Sequence, residues 1–261
     1  MIEIKNYNKG VNYLVEADDR RSAILKLIEN DINLSGAILY GADLSNADLK
    51  GVNFSGVDLR ETNLKCTNLS GANLSMADLR GVNLSNADLS MANLRGINLD
   101  GAILNSVNLD GADLDGASLK GANIIGASLN GASLNGANLE NADFDSAILE
   151  GANFKGANLK GAILYGADLK GADFDSADLS GANLKGADLN GASLDLASWP
   201  LSCNALYAKV DDRIRVQLLY HAAKPRGEVI DSDLKELLES ELFKRVVNKF
   251  HKIPKYCGKI V

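Results

Sequence analysis

From Leu34 onward every fifth residue is Leu, Phe or Ile, without a slip, through Leu39, Leu44, Leu49, Phe54 and Leu59 to Leu194. These make 33 consecutive pentads, and Trp199 continues the register. A period of five does not suit an α-helix. At about 100° per residue, five steps turn the row by about 140° and scatter the apolar side chains around the axis. It does suit a short extended piece followed by a corner. Along Ala-Asp-Leu-Ser the side chains alternate, so the small residue two before the Leu (Ala37, Ala42, Ala47) shares the buried face with it. The residue two after the Leu is most often Gly, which takes the positive φ of a tight corner at low cost. Stacked corners wind the chain into a coil in which each extended piece pairs with its counterpart one turn later. Internal repetition of this kind settles the architecture as a β-solenoid.

The motif Ala-(Asp/Asn)-Leu-x-x over residues 32–198 resembles the pentapeptide-repeat family. The resemblance implies a mainly β fold, a right-handed quadrilateral parallel β-helix with four pentads per coil. On that scheme the repeat makes about eight coils and a rod of about 40 Å, at about 4.8 Å between strands. Phe54, Phe154 and Phe174 then share one face, with Phe154 and Phe174 stacked on successive coils.

Three segments follow: 1–30 as an N-terminal cap, 31–198 as the β-helix, and 199–261 as an α-helical C-terminal capping or interaction region. Asp18 and Asp19 precede Ala23, Ile24, Leu27 and Ile28 at helical spacing, which predicts a helix over 17–30. Residues 1–16 are expected to form a short strand or ordered lead-in. Composition changes at Trp199-Pro200. A helix is expected over 211–223 (Ile214, Leu218, Ala222) and a second from about Asp231 to Phe250, striped by Leu234, Leu237, Leu238, Leu242 and Val246. Two such stripes in so short a segment need burial against the last coil or a second copy of the chain, which makes a homodimer through the C-terminal end a candidate.

No catalytic residue and no cofactor are expected. The repeats lack His, and their glycines recur at corners rather than as a phosphate loop. The many Asp residues do not follow the spacing of an EF-hand calcium loop. Cys203, His221, His251 and Cys257 gather four potential ligands in the tail, but form no Cys-x-x-Cys or His-x-x-x-His pair. They are expected to pack; structural zinc and a Cys–His catalytic pair are the alternatives. Three cysteines are too few for a disulfide framework. The N-terminus lacks the apolar core of a signal peptide, and no apolar run reaches membrane-spanning length. The expectation is a soluble protein of a reducing bacterial cytoplasm, without a membrane partner.

That leaves the outer surface as the place for function. Net charge is −7, which disfavours direct nucleic-acid binding. Residues 31–198 hold 21 acidic and 10 basic side chains, whereas the tail holds 8 and 12. With four sides, the face of Leu49 and every twentieth residue after it carries Asp48, Asp88, Asp110, Glu150, Asp168 and Asp188 against Lys50 and Lys170. The adjoining face of Leu34 and Phe54 carries Asp113, Asp115, Asp173, Asp175 and Asp195 against Arg95 and Lys155. These eleven acids are the candidate partner-binding residues.

Some members of the family imitate DNA to bind type II topoisomerases, so the resemblance implies DNA gyrase or topoisomerase IV as one partner. Duplex DNA of that length carries roughly 23 charges, about twice the net charge of this rod. No loop interrupts the repeat between Leu34 and Leu194. The principal expectation is therefore a non-enzymatic scaffold presenting an acidic surface to a protein, with DNA imitation as the alternative. An apolar strip of Ile103, Ile125, Ile163 and Tyr165, interrupted by Asp143 and Asp145, is a further candidate contact.

Overall fold

A computed structural model describes residues 1–6, 10, 12–195, 197–198, 208 and 211. The chain opens with strands β1 (Ile2–Ile4) and β2 (Tyr13–Val15), paired antiparallel with Ile2 opposite Val15. Helix α1 (Arg20–Glu29) follows. It is shorter than the expected 17–30 because Asp19 stands outside it, extended, with its carboxylate accepting the Ser22 N–H at 2.7 Å. Ala23, Ile24 and Leu27 are buried, and Ile28 packs at the margin of the core.

From Ile38 to Ser198 the chain is a ladder of parallel bridges between residues twenty apart, as in the column Ile38, Asp58, Asp78, Asn98, Ser118, Asn138, Asn158, Asp178, Ser198. Corners recur every five residues at positive φ, so each twenty-residue turn has four sides.

Backbone hydrogen bonding explains why five residues suffice for a side. In the pentad Asn108 to Ala112, the Asn108 N–H reaches back to Ala87 O (3.0 Å), and the N–H groups of Leu109 and Gly111 reach forward to Ser128 O (2.7 Å) and Asn130 O (2.9 Å). The Ala112 N–H closes the corner onto Leu109 O at 3.0 Å. The remaining donor, Asp110 N–H, goes to the side-chain oxygen of Asn108 at 3.1 Å. All five amide protons are thereby placed, as a buried or crowded backbone demands. The Asp/Asn of the motif is thus a backbone-capping residue, closing an Asx turn on every side where it stands.

Leu, Phe and Ile fill the interior as one continuous core from Ile4 to Ala197. Phe154 and Phe174 stack with ring centres 4.8 Å apart and planes within 1°, while Phe144 meets Phe154 edge-on at 6.4 Å. Thr62 and Thr67 replace Ala without leaving an unpaired hydroxyl, since they donate to Leu39 O and to Leu44 O and Leu64 O.

The corners differ from the sequence expectation in one respect. Gly is common, but Glu61, Cys66, Met76, Asn86 and Met91 hold the same left-handed conformation at φ 57–59°. Space also differs between corners, and at some a facing side chain would have to shift to admit a Cβ. A Cβ at Gly96 would lie 2.6 Å from the Met76 sulfur, and one at Gly161 would lie 2.5 Å from Asn141 Oδ1.

The N-terminal segment meets the exposed edge of the first coil. Carbonyls that later coils offer to the preceding turn are taken here by side chains. Tyr13 donates to Asn33 O, Asn6 to Ser35 O, Arg20 to Ile38 O, and Arg21 to both Asp43 O and Ser45 O. A sheet edge satisfied in this way offers fewer groups for chain-to-chain pairing. At the other end, Gly191 donates to the Asp211 carboxylate at 2.8 Å, and Ala208 packs against the core. The expected helix over 231–250 and all of that over 211–223 beyond Asp211, with Cys203, His221, His251 and Cys257, fall outside the described residues.

Candidate interaction surface

The acidic side chains expected to meet a partner fall into two structural kinds. Asp48, Asp88, Asp113, Asp168, Asp173 and Asp188 stand just before the core residue. Each uses one oxygen to accept the N–H two residues on, at 2.9 to 3.3 Å. Asn does the same elsewhere, as at Asn73 toward the Ser75 N–H (3.1 Å) and Asn153 toward the Lys155 N–H (3.0 Å). Asp and Asn are therefore interchangeable for closing the turn, and choosing Asp adds charge without changing the backbone bond.

The second kind follows the core residue: Asp110, Asp115, Glu150, Asp175 and Asp195. Three of these tie successive coils together. Asp110 accepts from Ser128 Oγ (2.6 Å) and from the Asn130 N–H (2.8 Å). Asp115 accepts from Ser133 Oγ (2.6 Å), the Asn135 N–H and Asn135 Nδ2. Asp175 accepts from Ser193 Oγ and the Asp195 N–H. Asp100, on another face, does the same for Ser118 and Lys120. At the capping positions Ser118, Ser128, Ser133 and Ser193, an Asp eighteen residues earlier supplies the missing acceptor. That pairing was not anticipated from the sequence, although its signal is present as Asp at n with Ser at n + 18.

Basic residues neutralise part of the acidic surface. Arg95 bridges Asp113 (3.1 Å) and Asp115 (2.9 Å), and Lys170 bridges Asp168 (2.8 Å) and Asp188 (3.7 Å). Burial alone would raise the Asp115 carboxyl, but hydrogen bonds from Ser133, Asn135 and Arg95 outweigh it and hold it below the usual carboxylate range. The Arg95 and Lys170 side chains are pushed up by hydrogen bonds to their Asp partners. Outside these two faces, Arg60 and Arg80 hold Asp58 and Asp78 low in the same way, and Arg60 also lies 5.7 Å from the Tyr40 ring centre.

Ile103, Ile125, Ile163 and Tyr165 are exposed as expected. Met76 and Met91, at 73% and 72% exposure, are the most exposed large apolar residues among the described residues of the rod and were not anticipated. Among the described residues no group of three His, Cys, Asp or Glu side chains is placed to hold a metal, and no helix is long and apolar enough to cross a membrane.

The model of the family described as pentapeptide repeats matches this chain in eight copies across residues 30–65, 62–101, 83–121, 92–131, 122–161 and 162–198. The chain is a member of the pentapeptide-repeat family. Pentapeptide-repeat proteins fold as right-handed β-helices. Among solved structures this pentapeptide-repeat protein is similar to HetL, a protein involved in heterocyst differentiation regulation from the cyanobacterium Nostoc sp. strain PCC 7120. Identity is 36% over 67% of this chain and 93% of HetL, with a TM-score of 0.36. It is also similar to full-length QnrB1, a plasmid-mediated fluoroquinolone resistance protein, at 22% identity over 72% of this chain and 97% of that one (TM-score 0.36). A pentapeptide repeat protein from the Arabidopsis thaliana thylakoid lumen matches at 35% identity over 38% of this chain and 66% of its own, with a TM-score of 0.32. No curated protein matches the chain.

Proposed function

We propose that this pentapeptide-repeat protein is a non-enzymatic scaffold whose acidic faces dock a protein partner carrying a cationic surface. The observation that supports this reading is the distribution of charge. Two adjoining faces carry eleven acidic side chains against four basic ones, while the rest of the repeat carries ten against six. Six of the eleven stand where Asn would close the turn equally well, so their charge is not needed for folding. Surfaces of one sign steer partners of the other and raise association rates.

A second reading, imitation of DNA toward DNA gyrase or topoisomerase IV, draws on the same two faces. Pairing of Arg95 and Lys170 with four of the acids lowers the charge density available to it.

A gyrase supercoiling assay separates the two, titrated with the wild type and with a variant in which Asp48, Asp88, Asp168 and Asp188 become Asn. Each substitution keeps the oxygen that closes the turn; those at Asp168 and Asp188 also remove the ion pairs to Lys170. Inhibition by the wild type that the variant loses supports DNA imitation. If neither protein affects supercoiling, the topoisomerase reading fails. Capture of a basic partner by the wild type but not by the variant then supports the scaffold reading, and equal capture by both overturns it.

A further inference from the structure

We propose that Asn190-Gly191 is a site of spontaneous covalent modification, deamidation through a cyclic imide, which Asp211 holds in check and which adds charge to the rod beside Asp188. The chain contains three Asn-Gly pairs, Asn130-Gly131, Asn135-Gly136 and Asn190-Gly191. The sequence Leu-Asn-Gly-Ala-Ser-Leu is the same over 129–134 and 189–194, so local chemistry does not distinguish those two sites. Their surroundings do.

The reaction balances with water as the sole co-reactant. The Gly191 main-chain nitrogen gives up its proton and bonds to Asn190 Cγ, the Cγ–Nδ2 bond breaks, and ammonia leaves. Water then opens the imide at either carbonyl, giving aspartate or isoaspartate. Glycine suits the first step because no Cβ crowds the attacking nitrogen. What limits the step is the partner of that nitrogen. The N–H groups of Gly131 and Gly136 donate to Glu150 O and Lys155 O, both at 2.9 Å, within the ladder between coils. The Gly191 N–H donates instead to a side chain, the Asp211 carboxylate, at 2.8 Å. Releasing either of the first two requires coils to separate in the body of the rod. Releasing the third requires one carboxylate to turn away, a far more local opening.

The asparagine side chains differ in the same sense. Asn130 donates its amide to Ser128 Oγ at 3.0 Å, and Asn135 donates to Asp115 (3.1 Å) and Ser133 Oγ (2.8 Å); both are half-buried. Asn190 is exposed, and among the described residues no hydrogen bond engages its side chain. Its Cγ therefore turns toward the Gly191 nitrogen by a rotamer change that gives up no such bond. The Asp211 carboxylate opposes the reaction, since a negative charge against the N–H disfavours the anion that attacks. Either product sets a new carboxylate beside Asp188, which closes the turn on the Asn190 N–H, and beside Asp211. Like charges at that range repel, so the contact between Gly191 and Asp211 is weakened once the reaction has run. Isoaspartate adds a methylene to the main chain as well, in a side whose length the five-residue corners fix.

Full-length protein kept in mildly alkaline buffer tests this, with the three sites followed by peptide mass spectrometry and electron-based fragmentation separating aspartate from isoaspartate. Conversion at Asn190 is expected to run about tenfold or more faster than at Asn130 or Asn135, a ratio equivalent to about 1.4 kcal/mol. In concentrated urea the three rates are expected to converge within about threefold, because unfolding removes the tertiary difference and the flanking sequences nearly coincide. Asp211→Ala is expected to speed conversion at Asn190 by about tenfold, the scale of a lost hydrogen bond to a charged group, and to leave Asn130 and Asn135 unchanged. Equal rates at the three sites in the folded protein overturn the proposal. So does the absence of conversion at Asn190 over a period in which the urea sample converts. An unchanged rate in Asp211→Ala overturns the part assigned to Asp211.

Discussion

Sides of the rod built on Asn or Asp and sides built on Ser reach the same backbone geometry by different routes. Around Asn63, Asn73 and Asn83 each turn is closed from within, the side chain accepting the N–H two residues on. Around Ser118, Ser128, Ser133 and Ser193 the turn is closed from the preceding coil by Asp100, Asp110, Asp115 and Asp175. Serine lacks the reach of a carbonyl oxygen one carbon further out, so its hydroxyl donates to the Asp instead of accepting from the backbone. In the first arrangement the turn closure itself is local, although an amide such as that of Asn63 also donates to Asp43 one coil earlier. The second couples neighbouring coils, and one lost carboxylate strands donors on two residues.

The largest difference between these arrangements is expected on removing an acceptor. Asp115→Ala leaves Ser133 Oγ and the Asn135 N–H without their acceptor, takes one of two acceptors from Asn135 Nδ2, and is expected to destabilise by about 2–4 kcal/mol in urea unfolding. Asn73→Ala removes one part-buried bond and is expected to cost about 1 kcal/mol in the same measurement. Equal losses would show that coupling between coils adds nothing.

Next in size is a rescue. Adding Ser133→Asn to Asp115→Ala rebuilds the closure from within, and is expected to recover about 1 kcal/mol. A double-mutant cycle gives the coupling directly; an additive result would mean that the Ser–Asp pair is not a unit.

Acid should separate the two kinds of side as well. The Asp115 carboxyl titrates lower in the folded chain than in the unfolded one, so its contribution is fully present above the unfolded value near 3.9 and is lost as pH falls through the folded value. Asp58 and Asp78, held low chiefly by hydrogen bonds from Arg60 and Arg80 respectively, act in the same direction. Stability is expected to fall below about pH 4, with a shallower slope in Asp115→Asn; an unchanged slope would remove Asp115 from the account.

The smallest effect belongs to the corners. Met76 is exposed and holds φ 58°, so Met76→Gly is expected to relieve left-handed strain and gain up to about 1 kcal/mol by thermal unfolding. A loss would show that the sulfur lying over Gly96 contributes more than the strain costs.

Much of this was legible in the chain because the repeat is strict. The row from Leu34 to Leu194 specifies the core, the Ala row beside it specifies the second buried position, and the spacing of Phe154 and Phe174 predicts the stack that the structure contains. The eleven acids could be assigned to two faces by counting in twenties. Their different duties could not. Whether an Asp points a carboxylate at its own turn or at the coil above depends on which residue stands eighteen positions later, and that relation has meaning only once the coil length is known. Met76 and Met91 were missed for a related reason: the corner position reads as a place for Gly, and five-residue periodicity does not say which corners tolerate a side chain.

By itself, then, the sequence determined a five-residue β-solenoid, its buried rows and the side of the rod on which charge accumulates, because alternation and period are local properties of an extended chain. Only the tertiary structure decided how each amide proton is satisfied, which carboxylates are engaged between coils, and how Arg20 and Arg21 occupy the carbonyls of the first coil. Those are contacts between residues about twenty apart, and they come into being only when one turn is laid upon the next.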